Sequence, residues 1–193
     1  LENLINIESE EIILDRNNKT ITSNTISKVI DKNKNLFQTK GFKYEIKNNT
    51  ININDALIKD IDNNKFEISS ALINLKSNLL KGEDIIINLN NKFLNPGNEP
   101  RLIGKKVNFK NNITEISTGK FTACKRTDNC PPWELTADKI THDRNKKSIS
   151  YENVWLKIYD TPVVYFPKFF HPDPSVKRQS GFLMPSFKSS PNN

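Results

Sequence analysis

Apolar and polar positions alternate along most of the chain. Ile51 and Ile53 share one face, with Leu57 in phase. Phe66, Ile68 and Leu72 share a face, with Ala71, Ile73 and Leu75 opposite. Ile85, Ile87 and Leu89 alternate with Ile86 and Asn88, and Val107 is in phase with Phe109. Period two sends successive side chains to opposite sides of a strand, so one apolar face per strand predicts a sheet with an inside and an outside. Helical character is confined to short stretches without caps. The chain is expected to be all-β.

Polar turns punctuate these strands. Asn17-Asn18-Lys19, Asn33-Lys34-Asn35, Asn48-Asn49-Thr50 and Asn63-Asn64-Lys65 follow one another at steps of 16, 15 and 15 residues, and Asn78 lies 15 further on. Asn90-Asn91-Lys92 and Asn111-Asn112 continue the series less regularly. Asn tolerates the left-handed backbone and bonds its own main chain, so it favours such turns. A fixed period with one turn per unit predicts a stacked architecture. Loops are expected from Asn95 to Pro100 and from Lys125 to Pro132. Beyond Pro162, the residues Pro167, Pro172, Pro174, Pro185 and Pro191 crowd a short segment. Each lacks the ladder donor, so continuous pairing is expected to fail there. Residues 1–167 are thus expected to form the β-domain, 168–179 a linker and 180–193 the opening of another element.

Composition narrows the partners without choosing one. Of 193 residues, 35% are hydrophobic and 26% charged, and the net charge is +7. That charge fits a nucleic acid, an anionic lipid or a compositional bias toward Lys, Asn and Ile. Phe42-Lys43-Tyr44 suggests a stacking, basic nucleic-acid surface, but the alternating faces carry mainly Ile and Leu, which suit lipid or a core. A β-solenoid that binds nothing is the third reading. No run of about 18 apolar residues exists, which excludes a transmembrane helix. The chain begins at Leu1 without a basic and apolar leader, so a leader is expected to be missing or removed, and the Ser-Ser-Pro-Asn-Asn ending suggests a fragment. Catalysis has little support: no Gly-rich phosphate loop is present, and His142-Asp143 reads as a turn entry. No cofactor is expected. A zinc site from Cys124, Cys130, His142 and His171 lacks the close Cys and His pairs of known modules.

The run from Ala137 to Asp143, then Val154-Trp155-Leu156 and Thr161-Pro162-Val163-Val164-Tyr165-Phe166-Pro167, resembles the LptD family. These are the lipopolysaccharide-assembly, or organic-solvent-tolerance, proteins of Gram-negative outer membranes. His171-Pro172-Asp173-Pro174 and the stretch from Lys177 to Phe187 strengthen the likeness, and the Cys124–Cys130 loop before Pro131-Pro132-Trp133 is similar to the alphaproteobacterial branch. The motifs cover about residues 120–187; residues 1–119 share only period and alternation. The resemblance implies an open β-jelly-roll of stacked antiparallel strands in the periplasm, leading into the start of a truncated outer-membrane β-barrel. It implies lipopolysaccharide as cargo, a periplasmic bridge of like domains, a lipoprotein that plugs the barrel, and no nucleic acid.

Stacked apolar faces make a core if closed and a groove for acyl chains if open along one seam. The lining candidates are Ile51, Ile53, Phe66, Ile68, Leu72, Ile85, Ile87, Leu89, Val107 and Phe109, and a closed core is the plain alternative for each. The Pro-free strands near Ile5 to Leu14 and Thr20 to Ile26 would offer a pairing edge to a bridge protein of like fold. Cys124 and Cys130 could close a local disulfide in an oxidising compartment, bond cysteines elsewhere, or stay free. By the resemblance, Pro185 matches a proline on the first barrel strand, where a missing N–H would weaken a lateral gate; an ordinary strand-start proline is the other reading.

Overall fold

The alternation and the Asn turns resolve into one antiparallel sheet. The computed structural model describes residues 6–30, 36–92, 94, 97–127 and 132–176. The strands are β1 (Asn6–Ser9), β2 (Ile13–Asp15), β3 (Thr20–Ser23), β4 (Ser27–Ile30), β5 (Leu36–Thr39), β6 (Phe42–Glu45), β7 (Thr50–Lys59), β8 (Lys65–Asn74), β9 (Leu79–Asn88), β10 (Arg101–Lys110), β11 (Ile113–Thr122), β12 (Trp133–Asp143), β13 (Ser148–Ile158) and β14 (Thr161–Pro172). They form a 14-stranded sheet in which β7 to β14 are paired in chain order. No helix occurs among the described residues. The open, all-β jelly-roll expected from the sequence is what forms.

The 15-residue period is one strand plus one turn of this meander. Its turns use the left-handed backbone: Lys19, Asn49, Asn63, Asn78, Asn111, Asn112, Lys147, Tyr159 and Asp160 all have positive φ. Asn111-Asn112 and Tyr159-Asp160 are two-residue hairpin turns with both residues left-handed, which matches the twist of the flanking strands.

Each long strand is bent at its middle. On β7, β9, β11 and β13 the residues Asp55, Asp84, Thr118 and Asn153 take φ of 46–51°. Ser69, Lys105, Asp138 and Pro167 continue the same row on the strands between, and every member of the row is exposed. On the N-terminal side the row becomes outright breaks, between β1 and β2, β3 and β4, and β5 and β6, so that β5 and β6 both pair with β7. A left-handed residue rotates the chain, and two successive side chains then point outward. The buried face therefore changes parity: Ile53 and Ala56, not Ile53 and Asp55, both face inward.

This slip corrects two expectations. Leu72 does not share the inner face with Phe66 and Ile68; it lies beyond the bend on the outside, 40% exposed, while Ala71 and Ile73 turn in. Leu57 likewise points out, 52% exposed.

Inward residues line up across the sheet in four rows. Flanking the bend are Ala56, Ile68, Ile85, Gly104, Gly119, Ala137, Val154 and Phe166 on one side, and Ile53, Ala71, Gly82, Val107, Ile116, Ile140, Tyr151 and Phe169 on the other. Bending presses these two rows together, so small residues must oppose large ones. A Cβ at Gly104 would stand 2.0 Å from Ile116 Cγ2, and one at Gly119 would stand 2.6 Å from Ile140 Cδ1.

The two arms of the sheet fold over one another with an offset. Phe121, near the end of β11, stacks on His171 of β14 at 4.7 Å between ring centroids. Arg144, just past β12, reaches Asp60 at the far end of β7. The core lies between the arms, with Ile87, Leu102, Ile116, Phe121, Ile140, Ile149 and Val154 fully buried. Each such burial stabilises the fold by about 1.5–3 kcal/mol.

Pairing does not stop at the prolines. β14 contains Pro162 and Pro167 and continues through Pro172, so 168–172 are strand where a linker was expected to begin. The physical reason is position: among the described residues β14 pairs with β13 alone, and an edge strand tolerates a residue without an N–H. Pro167 faces the bent residue Asn153, where the ladder is already interrupted.

Candidate functional site: the seam of the folded sheet

The outer two inward rows decide whether the roll is a core or a groove. One consists of Ile58, Phe66, Ile87, Leu102, Phe121, Leu135, Leu156 and Val164. The other runs from Leu14 through Ile21, Tyr44, Ile51, Ile73, Leu80 and Phe109 to Thr114, His142, Ile149 and His171. In this second row the side chains from Ile21 to Phe109 are half-buried, whereas Thr114, His142, Ile149 and His171 are buried. The arm opposite is similarly uncovered at its N-terminal end, where Ile7, Val29 and Phe37 are half-buried. Burial along this seam is therefore partial from Ile21 to Phe109 and full from Thr114 on, where the roll closes.

Nine of the ten lining candidates face inward. Ile53, Phe66, Ile68, Ile85, Ile87, Leu89 and Val107 lie in the buried core, and Ile51 and Phe109 lie on the seam. Leu72 is the exception. Alternation alone missed Ile21, Tyr44, Ile73 and Leu80; the signal that would have found them is the pair of adjacent polar residues at each bend, such as Asn54-Asp55 and Glu83-Asp84.

At the closing point sits Arg144. Its guanidinium lies 5.3 Å from the ring centroids of both Phe66 and Phe109, and Nη2 is 2.9 Å from Asp60 Oδ2. Asp60 also accepts from the backbone N–H and side-chain amide of Asn64 at 2.8 and 2.9 Å.

The shut end holds a polar network within its core. His142 Nε2 is bonded to the Asp173 carboxylate. The Tyr151 hydroxyl is 2.7 Å from His171 Nε2, and His171 Nδ1 is 2.7 Å from the Pro172 carbonyl. Donation from Nδ1 to that carbonyl leaves Nε2 as acceptor for the tyrosine. Burial raises the Tyr151 hydroxyl well above its ordinary range and lowers His171. Burial alone would raise Asp173, but its bond to His142, the charge there and the Ser175 contacts outweigh it and hold the carboxyl at about 2. The two histidines thus serve the packing of β12 to β14. Cys124 is half-buried, its sulfur 3.6 Å from the Trp133 carbonyl; Cys130 and Pro185 lie outside the described residues.

Both ends of the sheet expose apolar groups. At the start Ile12, Ile13 and Leu14 are exposed, and β1 and β2 each have a single partner strand among the described residues. At the other end Trp155 and Tyr165 stack at 5.1 Å on the outer surface, with Val163, Val164 and Phe170 also exposed.

No family model matches the chain. It is 28% identical over 178 residues, 92% of its length, to the LPS-assembly protein LptD of Pseudoalteromonas translucida. Over 88 residues, 46% of its length, it is 35% identical to that of Yersinia enterocolitica. Over 77 residues, 40% of its length, it is 36% identical to that of Francisella tularensis subsp. novicida. The chain spans 21%, 11% and 8% of those proteins' lengths.

Proposed function

We propose that this homologue of the LPS-assembly proteins LptD serves lipopolysaccharide assembly at the outer membrane, its seam carrying the acyl chains of the lipid. The observation that carries the reading is the half-open apolar row from Ile21 to Phe109, in a fold whose sequence likeness to an LptD extends over 92% of the chain. Burying a methylene is worth about 0.8 kcal/mol. The attraction has no direction, so a chain held against near-equivalent rows slides with little change in free energy. No catalytic step is involved.

The rest of the proposal follows the same logic. Lipopolysaccharide arrives from a periplasmic bridge protein of like fold that pairs with the exposed edge at β1 and β2. It passes to a membrane barrel plugged by a lipoprotein. Residues 1–167 then act in the periplasm, 168–179 as the passage out of the domain and 180–193 as the start of the barrel, with Pro185 at its lateral gate and Cys124 and Cys130 as a disulfide. The pairing of 168–172 with β13 supports a rigid first part to that passage.

Photocrosslinking in cells making the full-length protein tests the reading. A photoreactive residue at Ile51 or Ile73 on the seam is expected to capture lipopolysaccharide, and one at Leu57 or Leu72 outside is not. Equal capture at all four positions, or none at the seam, refutes it.

A further inference from the structure

The hydrogen-bonded ladder cannot hold the seam shut, because the residues that meet there come from opposite margins of the sheet. Asp60 follows β7 and Arg144 follows β12, five strands further on. Only side chains join them. We propose that Arg144 and Asp60 form a clasp across the seam, and that acyl chains advance from the half-buried row into the closed half of the roll when it parts. This rests on the lipid-carrying role argued above.

Three observations support a clasp rather than a fixed strut. The first is its position: the row is half-buried up to Phe109 and buried from Thr114 on, and Arg144 lies against Phe109 at that boundary. The second is its composition. Arg144 bridges the two arms by stacking between Phe66 of one and Phe109 of the other, rings that an acyl chain could cover when the guanidinium leaves. The third is its incompleteness. Arg144 Nε is buried without an acceptor, so the guanidinium is held by one carboxylate and two rings, while the backbone N–H of the residue donates to the Asn112 carbonyl at 3.1 Å. The pair is largely buried, with the Arg144 side chain 16% and the Asp60 side chain 4% exposed, so parting costs more than opening a surface ion pair, and the bonds that Asp60 keeps from Asn64 offset part of that cost. Asp60 keeps its two bonds from Asn64 and stays in place, which makes Arg144 and its turn the moving half.

The test uses the full-length protein with Cys124 and Cys130 replaced by Ser and a single reporter, Ile87→Cys, in the closed core. Opening is read as the rate at which a thiol reagent labels the reporter, without any lipid. Arg144→Ala is expected to raise that rate about tenfold, the factor equivalent to 1.4 kcal/mol. Asp60→Cys with Arg144→Cys, oxidised to a disulfide, is expected to suppress labelling at position 87 itself, read by peptide mass, relative to the reduced form, and this second variant decides the matter if Arg144→Ala does not fold. Labelling indifferent to both changes overturns the clasp. The same disulfide is expected to abolish lipopolysaccharide capture by a photoreactive residue at Ile116 in the closed half while leaving capture at Ile51 intact. Capture at Ile116 that persists in the oxidised form overturns the clasp as the lipid's way in. Absence of capture at every seam position, with labelling behaving as expected, leaves the clasp standing and removes the lipid role instead.

Discussion

Gly104→Ala tests the bend that creates the inner face. A Cβ at this position would lie 2.0 Å from Ile116 Cγ2, against the 3.5–4.0 Å at which carbon atoms rest in contact. Relief requires a displacement of about 1.5 Å by that criterion, and Ile116 has nowhere to go. It is fully buried, paired with Val107 on one side and Ile140 on the other, and the same methyl lies 3.1 Å from where a Cβ on Gly119 would stand. Overpacking of this severity costs about 3 kcal/mol, which for a chain of this size lowers Tm by about 6–12 °C. Denaturant unfolding of the wild type, Gly104→Ala, Ile116→Ala and the double variant separates the clash from other causes. Ile116→Ala alone is expected to cost about 2–5 kcal/mol through the cavity it leaves. Adding Gly104→Ala to it should then cost under about 1 kcal/mol, a coupling of about 2 kcal/mol. Gly82→Ala, where the nearest atoms are at 3.0 and 3.1 Å, is expected to be much milder. An equal loss for Gly104→Ala with Ile116 present and absent would mean that the two rows are not pressed together as described.

Two further outcomes follow from the ends of the sheet. Asp173 is held at about 2 and His171 is lowered by burial, so both folded values lie below the unfolded ones. Both contributions are complete at neutral pH and are lost on acidification, that of His171 as pH falls below about 6.5 and that of Asp173, about 2 kcal/mol, between about pH 4 and 2. Asp173→Asn should flatten the lower limb of a stability–pH profile, and a profile unchanged by it would break the assignment. At the opposite end, Ile13→Lys together with Leu14→Lys should weaken binding of a like-fold bridge domain at least tenfold, about the worth of one buried aliphatic side chain. Unaltered affinity in a titration would show that this edge is not the docking surface.

Much of this architecture was legible because it is local. Alternation reports burial one strand at a time, and the Asn turns mark strand ends through the backbone conformation they tolerate. Nine of the ten nominated side chains face inward for that reason. Leu72 was misplaced because a strict period of two was carried across Ser69-Ser70, where the chain bends and the phase slips. The slip is written in the sequence as a polar pair at the middle of each strand from β7 to β13: Asn54-Asp55, Ser69-Ser70, Glu83-Asp84, Lys105-Lys106, Ser117-Thr118, Asp138-Lys139 and Glu152-Asn153. What could not be read locally is the offset between the two arms. Asp60 and Arg144 meet across 84 residues of chain, and nothing in either neighbourhood marks the other. Proline density misled for a related reason: it reports a missing donor, not whether the strand stands at an edge where that donor is dispensable.

The offset also explains why apolar rows are uncovered at both ends. When one arm of a folded sheet packs over the other with a shift of several strands, the first strands of one arm and the last strands of the other have nothing to lie against. Here these are Ile21, Tyr44 and Ile51 at the beginning and Leu156, Val164 and Phe166 at the end. A closed barrel would have no such ends, and a flat sheet would expose a whole face. Among the described residues the offset roll leaves partly uncovered rows that are continuous with the interior. A neighbour of like fold placed at the first strands would extend those rows without a gap, because pairing at the β1–β2 edge continues the register in which the rows are built. On the proposed lipid-carrying role, cargo held by those rows would meet no new surface chemistry at the junction, and the barrier to advance would lie where the row passes from half-buried to buried, at Phe109 and Arg144.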